Sequence, residues 1–202
     1  MPFDVMTRTL LEHYTAHPPA TGDVWYGPWT AILTNLFPPS QGYIVTPQRR
    51  LQDDSESYIP DFIIEVAKLS MSPLTSRTVL VVEIKDHQCW QSAGIEALQQ
   101  QLNRQTDASF AGTAHTKLYW IGTIGPHWRY GEREDDGQDL RPLIDWHHTT
   151  HDQASYNDLR ALVDLVSALY VFIFQPRTQS LMSVHDAGDS VCSLLESKLA
   201  TL

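Results

Sequence analysis

The chain contains 202 residues, 42% of them hydrophobic and 19% charged, a composition that allows one globular domain with a sizeable core. Its 24 acidic residues exceed its 14 basic residues, and the formal net charge is −10. Because nucleic-acid binding normally relies on Lys and Arg displacing condensed counterions, this balance argues against tight nucleic-acid binding by the chain alone.

Membrane, secretion and disulfide signals are absent from the sequence. The apolar run that comes closest to a membrane span, 161–174, contains Asp164, so we expect no transmembrane helix. The N-terminus has no basic patch leading into an apolar stretch, and Cys89 and Cys192 lack CxxC spacing. We therefore expect an intracellular protein, cytoplasmic or nuclear, with reduced thiols.

The first part of the chain predicts two helices and a strand. Apolar positions over 4–16 recur at helical spacing and stop before His17-Pro18-Pro19. A second helix is predicted over 28–37, since Pro28 suits the first position of a helix and Pro38-Pro39 end it. Residues 43–51 predict a strand, and the polar segment 53–56 predicts a turn.

Two apolar runs, 58–66 and 79–85, predict neighbouring strands joined by a loop at 70–76. The run from Val79 to Val82 is apolar on both faces, which indicates a central strand covered on both sides. Alternation places Val79, Val81, Glu83 and Lys85 on one face, with Glu83 and Lys85 roughly 6–7 Å apart. It likewise gives Asp61, Ile63 and Glu65 a common face. We expect the nearby acids Glu65 and Asp86 to face solvent.

The second half of the chain predicts three more elements and several loops. A helix is expected over 92–108, where Ile95, Leu98 and Leu102 form an apolar stripe. The other expected elements are a strand at 117–124, an exposed hairpin arm at 127–130, a solvated acidic loop at 132–139, a histidine-containing loop at 147–151, a long helix at 156–174 and a last helix at 190–202.

Acidic and basic residues occur where the two central strands meet. Asp61 follows Pro60 near the start of one strand, and Glu83-Ile84-Lys85 ends the next. Two carboxylates and an ammonium on adjacent strands suit a hard cation with a nucleophile beside it. Burying such charges without a partner or a metal ion is costly, so their position at the end of an apolar strand needs a reason.

These residues, with the order helix, strand, strand, strand, helix, strand over about 1–125, resemble the PD-(D/E)xK nuclease superfamily. The resemblance implies an α/β restriction-endonuclease-like fold with an αβββαβ core, in which a central mixed sheet is flanked by helices. It implies one domain over 1–202, with a hairpin and helical decoration at 126–202. The function implied is divalent-metal-dependent hydrolysis of phosphodiester bonds, with DNA expected as the substrate rather than RNA.

The resemblance also assigns roles to individual residues. Asp61, Glu83 and the Ile84 carbonyl would bind Mg²⁺ or Mn²⁺, and Lys85 would orient or help to deprotonate the attacking water. Gln101 begins Gln101-Leu102-Asn103-Arg104-Gln105, which is similar to the family's Q-L-x-x-Y sequence, with Gln105 where Tyr would stand. Gln101 is therefore expected at the site, whereas the other glutamines of this helix are expected at the surface.

Two further candidates lie on the first helix. Many family members carry a glutamate there, and Glu12 is the candidate in this chain. His13, its neighbour, is a candidate extra metal ligand.

Other interpretations stay open from the sequence. Asp61 could cap a strand end, and Glu83 with Lys85 could be a solvated edge pair. The chain could be a nuclease-fold protein that has lost turnover and serves as a binding module, which its acidic charge favours. It could also be an acidic regulatory subunit that forms a homodimer through helix 156–174. The aromatic residues Trp128 and Tyr130 could stack on bases or pack on the core.

Overall fold

A computed structural model of the chain describes residues 3–48, 51–52, 57–68, 75–110, 116–135 and 137–174. Its helices are α1 (Val5–Ala16), α2 (Tyr26–Leu36), α3 (Ser92–Phe110) and α4 (Gln153–Phe174). Its strands are β1 (Tyr43–Pro47), β2 (Leu51–Gln52), β3 (Ser57–Tyr58), β4 (Phe62–Lys68), β5 (Thr75–Lys85), β6 (Lys117–Ile124), β7 (His127–Glu134) and β8 (Arg141–Pro142).

Six of these strands form one mixed sheet in the order β1-β4-β5-β6-β7-β8. Strands β5 and β6 are parallel, and the other neighbours are antiparallel. The parallel pair is joined by α3, as a crossover connection requires. Strands β2 and β3 form a separate two-stranded ribbon that contacts α3.

Helices cover both faces of the sheet, so the protein has the α/β architecture with three layers. On one face, α1, α2 and α4 contribute Leu11, Trp29 and Leu162 to a cluster that includes Leu80 and Val82 of β5. On the other face, side chains of α3 pack on β5 and β6, in a cluster that includes Val81, Leu98, Leu102, Leu118 and Trp120. Strand β5 is thus buried on both faces, as its continuous apolar sequence predicts.

The close approach of α3 to the sheet depends on Gly122 in β6. A Cβ at this position would lie 3.0 Å from Leu98 and 3.1 Å from Leu102, tighter than ordinary van der Waals contact. Because glycine has no side chain, α3 can pack close to the C-terminal ends of β5 and β6. This places the polar residues of α3 beside the C-terminal half of β5.

The pairing of β4 with β5 contains a bulge. Ile64 pairs with Leu80, and the next residue, Glu65, pairs with Thr78, so Val79 is an extra residue in β5. Val79 joins the same cluster as Leu80, whereas Val81 belongs to the cluster under α3. The expectation that Val79 and Val81 share a face is therefore wrong, because the bulge interrupts the alternation between them.

The N-terminal elements follow the predicted order with shifted limits. The predicted strand 43–51 is divided, since β1 ends at Pro47 and Leu51 belongs to β2. The predicted strand 58–66 is divided too, because Tyr58 pairs in β3 and β4 begins at Phe62. The predicted turn at 53–56 lies outside the described residues.

The second half differs more from the sequence prediction. The strand at 117–124 is confirmed, but the predicted acidic loop at 132–139 is wrong in its first part, which continues β7. Glu132 and Arg133 are 3% and 7% exposed, and Glu132 is paired with Lys117 and Arg141. The segment expected as decoration supplies two sheet strands and α4, while the predicted helix 190–202 lies outside the described residues.

None of the helices in the described ranges is long and apolar enough to span a bilayer.

Candidate active site

Two buried carboxylates occupy the end of the central sheet. Asp61, which immediately precedes β4, is 9% exposed, and Glu83 of β5 is 3% exposed. Phe62 pairs with Val82 in the antiparallel ladder, so one further step of the register sets Asp61 opposite Glu83. Residues opposite each other in such a pair project from the same face. The two acids therefore face the same space.

Asp61 is held through both of its carboxylate oxygens. The Ile84 N–H donates to Oδ2 at 2.6 Å, and the hydroxyl of Tyr26, the first residue of α2, donates to Oδ1. Burial, together with the bond to Asp61 and its charge, raises the pKa of Tyr26 to about 12. The phenol therefore keeps its proton at neutral pH and remains a donor to Asp61.

Gln48 completes the surroundings of Asp61 and Tyr26. Its main-chain N–H donates to the Asp61 carbonyl at 2.9 Å, and its side chain hydrogen-bonds to Tyr26. Among the non-glycine residues that the structure describes, Gln48 alone has a positive φ, at 49°. This left-handed conformation costs about 1–3 kcal/mol at such a residue and is frequently found at functional sites.

Glu83 is held by residues from β5 and α3. Its Oε1 accepts hydrogen bonds from Lys85 Nζ at 3.0 Å and from the Gln101 amide. Its Oε2 accepts from Gln105 Nε2 at 2.7 Å. Lys85 also donates to Gln101 Oε1, so Gln101 bridges the ammonium and the carboxylate.

The carboxylates are electrostatically unfavourable as an isolated pair. Burial raises the pKa of Asp61, although the hydrogen bonds from Tyr26 and Ile84 and the charge of Lys85 oppose this effect. Burial also raises the pKa of Glu83, and the neighbouring charge of Asp61 raises it further. One lysine thus faces two carboxylates, and an additional cation would stabilise their ionised forms.

The structure brings together four of the residues that the sequence singled out, Asp61, Glu83, Lys85 and Gln101. Ile84 contributes its N–H to Asp61. Since the N–H and C=O of a strand residue point to the same side, the Ile84 carbonyl also lies on the Asp61 side of β5.

The two candidates on α1 are placed differently. The Glu12 carboxylate forms an ion pair with Arg8 at 2.7 Å on the same helix, and its side chain is 43% exposed. The exposed His13 ring lies beside Tyr14 and His17. Neither residue is joined to the carboxylate pair by a hydrogen bond or ion pair within the described part of the chain. Their roles at the site stay predictions.

Sequence reasoning missed three residues of the site, Tyr26, Gln48 and Gln105. Gln105, expected at the surface, is 1% exposed. Its spacing from Gln101 is one helical turn and places it beside Leu102 on the buried stripe, a signal that could have found it. Tyr26 and Gln48 carry no such signal, because their contacts depend on how α2 and the end of β1 approach Asp61.

Two acids near the site are also less exposed than expected. Glu65 is 6% exposed and accepts a hydrogen bond from Ser76 at 3.1 Å, so its predicted solvent-facing position is wrong. Asp86 is partly buried, and its Oδ1 is buried with no hydrogen-bond partner in the part of the chain that the structure describes.

No group of three or more His, Cys, Asp or Glu side chains in the described ranges is arranged to hold a metal ion. A cation at Asp61 and Glu83 would therefore complete its coordination with main-chain or solvent oxygens. No family model, curated protein or solved structure matches this chain.

Proposed function

We propose that this protein is a divalent-metal-dependent nuclease of the PD-(D/E)xK type, with DNA as its substrate. The observation that carries the proposal is the convergence of Asp61 and Glu83, from different strands, into one buried pair with Lys85 in hydrogen-bond contact. An ordinary strand-end cap or a solvated edge pair would not require two carboxylates to be buried together.

The topology supports a restriction-endonuclease-like core. Within the sheet, β1, β4 and β5 form an antiparallel meander, α3 crosses over, and β6 returns parallel to β5. With α1 this gives the order αβββαβ, to which α2 and the β2–β3 ribbon are additions. The proposed catalytic residues lie at the start of β4 and the end of β5, where the resemblance expects them.

The oxygen donors around the carboxylates fit Mg²⁺ or Mn²⁺. Asp61, Glu83 and the Ile84 carbonyl would hold the ion, and all three offer hard oxygen atoms. Next to Glu83, Gln105 Oε1 is buried and has no hydrogen-bond partner among the described residues, so this polar cluster has unused acceptor capacity. A bound ion would lower the pKa of a water molecule and offset charge that develops on the phosphate.

Protein groups would position the reacting atoms. Tyr26 and the Ile84 N–H fix the Asp61 carboxylate, while Gln105 fixes Glu83. Gln101 holds the Lys85 ammonium beside Glu83, where it would orient the attacking water and contact a phosphate oxygen. Such fixed groups reduce the reorganisation needed during reaction.

A nuclease-fold binding module without turnover is the second candidate. The net charge of −10 favours it, because an acidic chain repels phosphates and binds nucleic acid weakly. The two candidates differ in whether the wild type cleaves nucleic acid in a reaction that requires Asp61, Glu83 and Lys85.

Cleavage of circular and linear DNA and RNA in Mg²⁺ or Mn²⁺ tests the proposal. We expect the wild type to cut, and Asp61→Asn, Glu83→Gln and Lys85→Ala each to lower the rate by about 10²-fold or more. The amide substitutions keep shape and remove charge. Asparagine at 61 can still accept from Ile84 and donate to the Tyr26 oxygen.

Matched controls make the same chemical changes at exposed positions. Asp164→Asn on α4 and Glu96→Gln on α3 should leave the rate unchanged. Calorimetry should detect Mn²⁺ binding to the wild type and not to Glu83→Gln. Equal cleavage by the wild type and all three site variants would indicate a contaminating nuclease and contradict the proposal. Unchanged Mn²⁺ binding by Glu83→Gln would remove Glu83 from the ligand set.

A further inference from the structure

Aromatic rings and one guanidinium form a connected group near the C-terminal end of β5. We call this group the Trp90 cluster; its members are Trp90, His127, Arg129, Trp146 and His148. Trp90 stacks on His127 with ring centroids 3.8 Å apart and planes inclined by 17°. Trp90 and Trp146 form a T-shaped pair with ring centroids 5.0 Å apart, and the Arg129 guanidinium lies 4.6 Å from the Trp146 centroid.

The cluster occupies the same end of the sheet as the carboxylates. Lys85, the last residue of β5, pairs with Ile124 and accepts a hydrogen bond from the Gly125 N–H at 2.9 Å. Two residues later His127 begins β7, and the short turn His87–Cys89 leads from Lys85 to Trp90. Five residues span at most about 17 Å even when fully extended, so Trp90 lies within a few nucleotides of the proposed site.

The rings of the cluster retain solvent-accessible surface. Trp90, His127, Arg129 and Trp146 are half-buried, and His148 is exposed. Burial, with the nearby rings of His148 and His87, lowers the pKa of His127 to about 4, so this ring is neutral at pH 7. A neutral imidazole stacked on an indole offers an extended aromatic surface beside the cation of Arg129.

The charge of this surface, its aromatic rings and its nearness to the carboxylates indicate what it could bind. Arg129, which lies near Asp145, and Lys85, which is paired with Glu83, place two cations at this end of the sheet in a chain that is acidic overall. Half-exposed tryptophans beside a guanidinium are the elements of sequence-tolerant binding to single strands, in which bases stack on rings and cations follow the phosphates. Paired bases in a duplex have both faces covered by their neighbours, so they cannot stack in this way.

We propose that the Trp90 cluster stacks on an unpaired base of the strand whose phosphodiester lies at Asp61 and Glu83. This inference rests on the proposed nuclease function and specifies its substrate as a single strand or a frayed end. Arg129 would contact a phosphate next to the stacked base.

Binding of a fluorescein-labelled DNA strand of about 12 nucleotides tests the inference. Anisotropy is measured with Mg²⁺ in a Lys85→Ala chain, in which cleavage is blocked. We expect the single strand to bind more tightly than a duplex of the same sequence, and Trp90→Ala to weaken single-strand binding about 10-fold. Trp90→Phe, which keeps a ring, should stay within about threefold of the parent chain.

Ile44→Ala provides the control. Ile44 is 40% exposed on β1, at the far edge of the sheet, and its removal should not change binding. Equal single-strand binding by the parent chain, Trp90→Ala and Trp90→Phe would overturn the inference, as would the lack of any preference for the single strand.

The two proposals fail in different ways. Metal-dependent cleavage by the wild type, with single-strand binding unaffected by Trp90→Ala, would overturn the base contact and leave the nuclease. Trp90-dependent binding of the single strand without any cleavage by the wild type would support the base contact and overturn the nuclease.

Discussion

At the scale of single residues, every carboxylate oxygen of Asp61 and Glu83 accepts a hydrogen bond from the protein. Their positions are therefore fixed without an ion, which is the arrangement expected of a preorganised site. The same burial makes their ionisation costly. The stability of the metal-free protein should consequently depend on whether these two groups are charged.

This cost predicts a pH dependence of stability. The pKa values of Asp61 and Glu83 are raised above the ordinary values of 3.8 and 4.5, so the folded state binds protons more tightly than the unfolded state. This tighter proton binding stabilises the folded state. Its contribution is fully present below the ordinary pKa values and is lost as pH rises through the raised pKa values. As pH rises above these ordinary values, we expect the melting temperature of the metal-free wild type to fall relative to that of Asp61→Asn.

Thermal unfolding in EDTA between about pH 4 and pH 8 measures the difference. Asp164→Asn, at an exposed site, should follow the wild type. Added Mn²⁺ should restore stability at the upper end of the range in the wild type and in Asp164→Asn, but not in Asp61→Asn. Parallel curves for the wild type and Asp61→Asn would show that the pair carries no such cost.

The sequence predicts the charged part of the site better than its supporting groups. Strand alternation predicts that Glu83 and Lys85 share a face, and the resemblance to the PD-(D/E)xK motif adds Asp61 to them. Tyr26 and Gln48 could not be predicted, since their contacts depend on the approach of a helix end and on a left-handed residue that no local pattern specifies.

At the scale of elements, two close contacts made by strands of the sheet depend on glycine. Gly122 admits the leucines of α3, and Gly131 of β7 lies directly against Trp120 and the main chain of Arg141. Alanine at 131 would clash with a buried ring and with a carbonyl of β8, neither of which can move freely. We expect Gly131→Ala to lower the free energy of unfolding by about 1–3 kcal/mol in chemical denaturation.

Gly27 offers a milder case of the same substitution. It lies in the first turn of α2, and apart from its chain neighbours and the helix backbone no described atom lies within 4 Å of an added Cβ. Gly27→Ala should change the free energy of unfolding by less than about 1 kcal/mol, because the lower conformational entropy of alanine is opposed by crowding of its Cβ against the ring of Pro28. An equally small effect of Gly131→Ala would mean that Trp120 and the Arg141 carbonyl leave room for a Cβ at position 131.

Elements were predictable where one periodicity ran without interruption, as in β6 and α3. The sequence predicts a β7 that is too short, because Glu132 and Arg133 fit the pattern of a charged loop. Their burial depends on partners distant in sequence, Lys117 and Arg141 for Glu132 and Asp107 for Arg133. A local charge pattern contains no information about such partners.

At the scale of the whole molecule, the net charge of −10 limits how nucleic acid can be bound. If Lys85 and Arg129 make the main phosphate contacts, few counterions are released on binding. The slope of log K against log salt for a single strand should then be no steeper than about −2. Strand binding by Asp61→Asn, which keeps both cations and is expected to cleave at least about 10²-fold more slowly, gives this slope when measured over a range of KCl concentrations at constant Mg²⁺.

A slope of about −5 or steeper would indicate a basic surface that includes several more cations. Arg129→Gln should make the slope shallower by about 0.7 in the expected case. Arg160→Gln, at an exposed position of α4, is the matched control and should not alter it.

The extra residue Val79 divides β5 into two stretches, each with its own alternation of side chains. Gain or loss of one residue before this point can be taken up by shifting or removing the irregularity. The pairing of Glu83 and Lys85 with Gly122 and Ile124 on β6 then stays in place. A change of chain length before Val79 would thereby leave the end of the strand that carries Glu83 and Lys85 unshifted.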